Sequence, residues 1–226
     1  MRPSGLHFFP LTPLFLLAAL VLAMLVAFVQ VGILRYAYER IGIPRRHVFA
    51  VLMATLLGSF VNIPVAELPP ERVLSNQVVS FFGIEYVVPR VEQWPGTIVA
   101  VNVGGAVVPT LLSLYLLFKR RLFAPGLLAV AIVAAVVHVV AHPVRGIGIT
   151  VPVFVPPLVA AATAIMIARR AAPAVAYIGG SLGTLIGADL LNLGVVQGLG
   201  APVASIGGAG TFDGIFLTGI VAVLLA

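Results

Sequence analysis

Long apolar blocks alternate with short polar breaks along this chain. Apolar runs fill residues 11–36, 47–66, 96–118, 122–142, a stretch ending near 168, then 173–195 and 207–226. Each approaches the roughly 20 residues an α-helix needs to cross a bilayer core. The pattern predicts an all-α, polytopic bundle of about seven transmembrane helices, a single domain over residues 1–226. The first run exceeds the roughly 7–15 apolar residues of a signal-peptide core, so it reads as a retained helix.

Two breaks are unusual. Residues 67–95 form the one long polar segment, and within it VVSFFGIEYVVPRV is β-branched and aromatic around Gly83. That composition predicts a short β-hairpin cap, with Pro89 limiting the second strand. The linker PVRGIGITVPVFVPP at 143–157 is rich in proline and glycine yet still apolar. A re-entrant element over 146–157 stays open beside the seven-helix reading.

Charge orients the bundle. With seven spans, Arg35, Arg40, Arg45, Arg46, Lys119, Arg120, Arg121, Arg169 and Arg170 share one side, nine of the thirteen basic residues. The positive-inside rule makes that side cytoplasmic, with the N-terminus outside and the C-terminus inside. Four of the five glutamates, Glu67, Glu71, Glu85 and Glu92, then lie outside. Composition agrees: 61% of residues are hydrophobic and 9% charged, against about 25% charged in soluble domains. The net charge of +6 sits in loop clusters, which argues against a nucleic-acid partner. The absence of cysteine excludes disulfides, thiolate metal sites and cysteine nucleophiles. No metal or cofactor is expected, and oligomeric state is not readable.

Against this background two residues stand out. Asp189 and Asp213 are the only aspartates, and both fall inside apolar runs. An acid within a membrane segment is costly and marks a functional site by default. In the predicted topology Asp189 lies sixteen residues, about 24 Å, from the cytoplasmic end of its helix, and Asp213 six residues, about 9 Å, from the outer end of the next. Both belong to the outer third of a core about 30 Å thick. Asn62, Asn102, Asn192, His138 and His142 fall at a similar depth. Singly, Asn62, Asn102 and His142 read first as packing or interface residues. Together they predict a polar chamber, with Arg145 as the expected counter-charge to an ionised aspartate, or else an interface anchor that snorkels to water.

Glycines complete the picture. Gly179, Gly183 and Gly187 recur every fourth residue, beside a small-residue stripe of Gly180, Thr184 and Ala188. Such faces bring helix backbones close. Gly207, Gly208, Gly210 and Gly214 surround Asp213 and permit an unwound backbone against which an extended segment could lie.

Paired carboxylates share a proton and can activate water against a carbonyl. The arrangement resembles the intramembrane aspartyl proteases of the presenilin, signal-peptide-peptidase and prepilin-peptidase group, whose aspartates sit on two transmembrane helices with the second after Gly-x-Gly. Here Gly208-Ala209-Gly210 precedes Asp213 by two further residues, Ala188 stands before Asp189, and Pro156-Pro157-Leu158 is the nearest match to Pro-Ala-Leu. The resemblance implies catalytic Asp189 and Asp213 and a membrane-embedded peptide substrate; the shared depth adds Asn192, Asn102, Asn62, His142 and Arg145 as supporting residues, and the glycine-rich opening of the last run adds Gly208 and Gly210. GADLLNL, GAGTFDGIFLTG and AHPVRGIGITVP also resemble a family of prokaryotic multi-pass membrane proteins, domain of unknown function 1614, which implies a plasma-membrane location. The competing reading is a proton- or cation-coupled transporter or channel that uses the same acids for a small ion or solute. A metal enzyme built on His138, His142, Asp189 and Asp213 ranks third, because no HExxH pattern is present.

Overall fold

The computed structural model describes residues 13–81, 84–94, 96–144, 148–196, 202–208 and 214–226. The fold is mostly helical. Helices α1 (Pro13–Arg40) and α2 (Arg45–Gly58) lead into strands β1 (Asn62–Leu68), β2 (Glu71–Phe81), β3 (Ile84–Trp94) and β4 (Thr97–Asn102). A π-helical turn, Val103–Val107, opens α3 (Val108–Arg120), which α4 (Phe123–Val140) follows. Strands β5 (His142–Val144) and β6 (Gly148–Thr150) precede α5 (Val155–Ile167) and α6 (Ala172–Thr184). Helix α6 continues through a second π-turn, Leu185–Asp189, and a tight turn, Leu190–Asn192, into α7 (Leu193–Val196). Strand β7 (Val203–Ile206) and α8 (Gly214–Leu225) complete the chain.

The all-α expectation needs correction. Among the described residues three helical stretches are long and apolar enough to cross a membrane: Val103–Arg120, Phe123–Val140 and Arg169–Val196. Val29–Arg40 and Arg45–Gly58 meet that test only as a pair bent by 116°, and α5 and α8 are shorter. Where helices were expected up to residue 66 and from residue 96, the chain instead forms β1 and β4. Pro64 cannot donate within a helix, and β1 accommodates it beside a register shift between Pro64 and Ala66, a usual place for proline in a sheet. The β-branched Thr97-Ile98-Val99 start of β4 suits a strand. β4 pairs antiparallel with β1, Asn62 opposite Asn102, and parallel with β7, Ile98 opposite Val203. β2 pairs antiparallel with β3 from Glu71–Trp94 to Phe81–Ile84.

Helix α6 is the axis of the bundle. Eleven of its thirteen residues are buried, as expected for a helix apolar on every side. One face meets α4 through glycines. A Cβ at Gly179 would lie 2.9 Å from Ala129 Cβ, one at Gly183 2.6 Å from Val133 Cβ, and one in the π-turn at Gly187 2.5 Å from the Ala134 carbonyl oxygen. The neighbouring face meets α8 less tightly, with Ala222 and Thr218 3.4 Å from a Cβ at Gly180. The outward faces are apolar: Phe60, Val139, Phe154 and Met166 are 70%, 77%, 74% and 81% exposed. Lipid, rather than water, suits such a surface.

Basic groups gather at one end. Arg40 Nη1 donates to the Val223 carbonyl at 3.1 Å, placing a cation on the open C-terminus of α8. Arg35 and Arg45 flank Glu39 at 2.8 Å and 3.1 Å. The Arg120 guanidinium lies against Gly42, whose φ of +92° turns α1 into α2. The ends of α1, α3 and α8 therefore meet.

Candidate functional site

At the opposite end of α6 the helix widens. The π-turn Leu185–Asp189 adds a residue to the turn and shifts the register of the residues beyond it. In a regular helix Ala188 would stack above Thr184. With i→i+5 spacing Asp189 takes that place. Asn192 stabilises the widened turn, since its Nδ2 donates to the Gly187 and Ala188 carbonyls at 2.8 Å and 2.9 Å. Asn192 is buried and its amide is committed to the helix backbone.

Asp189 is half-buried, and its Oδ2 accepts the Gly207 N–H at 2.7 Å. Gly207 has φ of +90°, and a Cβ there would lie 2.6 Å from Ala106 N and 2.7 Å from Ala106 Cβ. Only glycine fits this position. The residues after β7 thus insert between α6 and the π-turn that opens α3, and their backbone orients the carboxylate.

The two predicted asparagines meet across the sheet. Asn102 is fully buried. Its Nδ2 donates to the Ser59 carbonyl at 2.8 Å and to Asn62 Oδ1 at 3.1 Å, while its Oδ1 accepts the Gly105 N–H at 2.8 Å. It thereby caps the π-turn of α3 and ties α2, β1 and β4 together. Asn62 Oδ1 also faces Ser205 Oγ at 2.7 Å, and the Gly208 carbonyl lies 2.5 Å from the same hydroxyl. The single Ser205 proton is shared between those acceptors. Replacing Asn102 by alanine leaves the buried Gly105 N–H and Ser59 carbonyl unmet, at about 1–3 kcal/mol for such a group. Thermal unfolding in detergent should show Asn102→Ala well below the native protein, with Asn62→Ala affected less.

Asn62, Asn102 and Gly208 thus come together through Ser205, which the sequence did not single out, and Asp189 joins them through Gly207. Others do not join them. His142 is exposed on β5, where its carbonyl accepts the Thr150 hydroxyl at 3.1 Å. His138 lies on α4, outside this hydrogen-bonded group. Arg145, Gly210 and Asp213 lie outside the described residues. Among those described, no group of three His, Asp or Glu side chains comes together to hold a metal.

A cavity of about 400 Å³ opens beside Asp189. Its walls include Thr184 of α6, Thr218 of α8, Pro157 of α5, strand β7, Gly208 and Gly214. Gly208 and Gly214 flank residues 209–213 in sequence. Asp189 is the only ionisable residue among those described that lines it. Thr184 stands out in the sequence only as part of a small-residue stripe, and Thr218 not at all. The five-residue step from Thr184 to Asp189 fits no regular helix face, so periodicity does not reveal it.

The sequence model of a family described as protein of unknown function, DUF1614, matches residues 56–225. The chain belongs to this family. The DUF1614 match begins within α2 and ends in α8, so every polar side chain just described lies inside it, while α1 lies before it. No curated protein and no solved structure matches the chain.

Proposed function

We propose that Asp189 and Asp213 act as a carboxylate dyad that hydrolyses a peptide bond of a membrane-embedded chain. One observation carries this reading: the residues on either side of 209–213 line the same cavity as Asp189. Asp213 directly precedes Gly214 in sequence. One carboxyl, protonated, polarises the scissile carbonyl, and the other takes a proton from water as it attacks. A cleft of this size, apolar except for a few polar groups, suits an extended peptide.

The protein is placed in a prokaryotic plasma membrane with the basic end cytoplasmic. The meeting of Arg40 with Val223 and of Arg120 with Gly42 supports grouping these loops on one side. The β2–β3 hairpin then caps the outer face. The short helices α5 and α8 complete a seven-pass bundle, the strands and turns preceding them covering the remaining thickness. Irregular backbone at membrane depth is tolerated where it lines a cavity.

A second reading, proton- or cation-coupled translocation, is favoured by the position of the breaks. The π-turns of α3 and α6 and the end of β7 all meet near Asp189, as in carriers with interrupted helices. One experiment separates the two. Purified protein in liposomes is given fluorogenic transmembrane peptides, and lumenal pH is followed in parallel. The first reading expects peptide cleavage that Asp213→Asn abolishes. Absence of cleavage, with a proton flux that Asp213→Asn removes, would replace it by the second.

A further inference from the structure

Four buried hydroxyls have no hydrogen-bond partner among the described residues: Tyr38, Ser113, Ser181 and Thr184. Three of them follow one line through the bundle. Thr184 and Ser181 are three residues apart on α6, and Tyr177 is four further back, so they share a helix face. Asp189 stands above Thr184 because of the π-turn. At the lower end the Tyr177 ring tilts against Tyr38, with centroids 6.3 Å apart. The Tyr38 hydroxyl lies close to Thr55 and Tyr177, and that of Tyr177 close to Ser181, although Tyr38 reaches hydrogen-bonding geometry with neither. Tyr38 is two residues from Arg40, at the basic end. The file rises from there to Asp189, about 18 Å along α6 from Tyr177.

The surroundings of the file are otherwise apolar. Tyr38, Tyr177, Ser181 and Thr184 are each at most 5% exposed. Glycine keeps the line clear at one point, since a Cβ at Gly219 would lie 2.5 Å from Ser181 Oγ and 3.2 Å from Tyr177 Cε2. Unpartnered buried hydroxyls are destabilising, and three in line are not expected from packing alone. Neighbouring side chains at helical spacing are about 5–6 Å apart at Cβ, a gap that one water can bridge. Each hydroxyl both donates and accepts.

We infer that Tyr38, Tyr177, Ser181 and Thr184 form a proton path joining Asp189 to the basic end of the bundle. A proton moves when each hydroxyl or bridging water accepts one from below and releases its own upward. O–H bonds break and form in equal number, and no co-reactant is needed. Among the described residues, the ionisable groups at the two ends are Asp189, at the cavity wall, and Glu39 with Arg35, Arg40, Arg45 and Arg120 beside the α1–α2 turn. Thr55, Thr218 and the apolar faces of α4 and α5 contribute no charge along the way. This inference requires only that Asp189 exchange a proton, so it stands or falls apart from the hydrolytic reading.

The test is a one-sided pH jump on protein inserted in one orientation in liposomes. The readout is the infrared carboxyl band that disappears in Asp189→Asn. The native protein should follow a jump applied at the basic side. Thr184→Val and Gly219→Ala should slow that response by about a hundredfold, the scale of a lost proton-transfer partner. Thr184→Ser, which keeps the hydroxyl, should restore it. A band that responds only to pH on the cavity side overturns the path, as does an unchanged rate in both Thr184→Val and Gly219→Ala. Peptide cleavage lost in Asp213→Asn with the infrared response intact would leave both proposals standing. Cleavage unaffected by either aspartate would remove only the hydrolase.

Discussion

Asp189→Asn is expected to keep the fold and lose the reaction. The asparagine Oδ1 can occupy the position of Asp189 Oδ2 and still accept the Gly207 N–H, a bond of 2.7 Å in the native protein. The segment after β7 therefore stays seated against α6. The ability to take up and release a proton disappears. Loss of a general acid or base lowers the rate roughly 10²–10⁴-fold, measured as cleavage of the transmembrane peptide in liposomes. Asp189→Leu should differ in kind. It leaves the Gly207 N–H unmet, at about 1–3 kcal/mol, and should lower the unfolding temperature as well. Full cleavage by Asp189→Asn would show that the reaction does not need this carboxylate, and the hydrolytic reading would fall with it.

The second large effect is structural and depends on a single step along α6. Gly183→Ala is expected to destabilise the bundle, and Gly180→Ala is not. The chemical change is identical, but the added methyl meets different neighbours. At Gly183 it would lie 2.6 Å from Val133 Cβ and 3.2 Å from the Val130 carbonyl oxygen. Neither is the free end of a flexible side chain, so α4 has to move away. Forced overpacking of this kind costs about 1–3 kcal/mol. At Gly180 the nearest atoms, in Ala222 and Thr218, are 3.4 Å away, which is close to ordinary contact. Alanine there regains about 0.5–1 kcal/mol of helix stability. Thermal melts and size-exclusion profiles in detergent should therefore separate the two variants in opposite directions. Gly183→Ala should also blur the Asp189 cavity, because α4 braces the π-turn through Gly187.

Much of this is legible from the chain itself. The glycines at 179, 183 and 187 announce a close helix contact, and the partner is α4. An acid inside an apolar run singles out the end of α6, and Asp189 lines a cavity there. Asn62 and Asn102 share a depth in the predicted topology, and they are hydrogen-bonded to each other. Spacing makes Asn192 a companion of Asp189 on one helix face. Its amide instead closes the carbonyls of the π-turn, a need that arises only once the helix has widened.

Other features depend on contacts distant in sequence. An apolar run has the same hydropathy whether it becomes one long helix or a strand followed by a half-helix, so the runs at 47–66 and 96–118 do not reveal β1 and β4. That choice rests on β4 pairing with both β1 and β7, partners about 35 and 105 residues away, and backbone pairing leaves no mark on hydropathy. The hold of Gly207 on Asp189 also needs a distant partner, a main-chain N–H bonded to a side-chain carboxylate eighteen residues back. Composition and spacing therefore point to lipid as the solvent, to a closely packed glycine face and to Asp189, because burial and close packing act through side-chain size and polarity. The tertiary structure decided where the helices break and which backbone group orients the carboxylate, because nearly every residue carries the same main-chain N–H and C=O, and only the fold selects which of them meet.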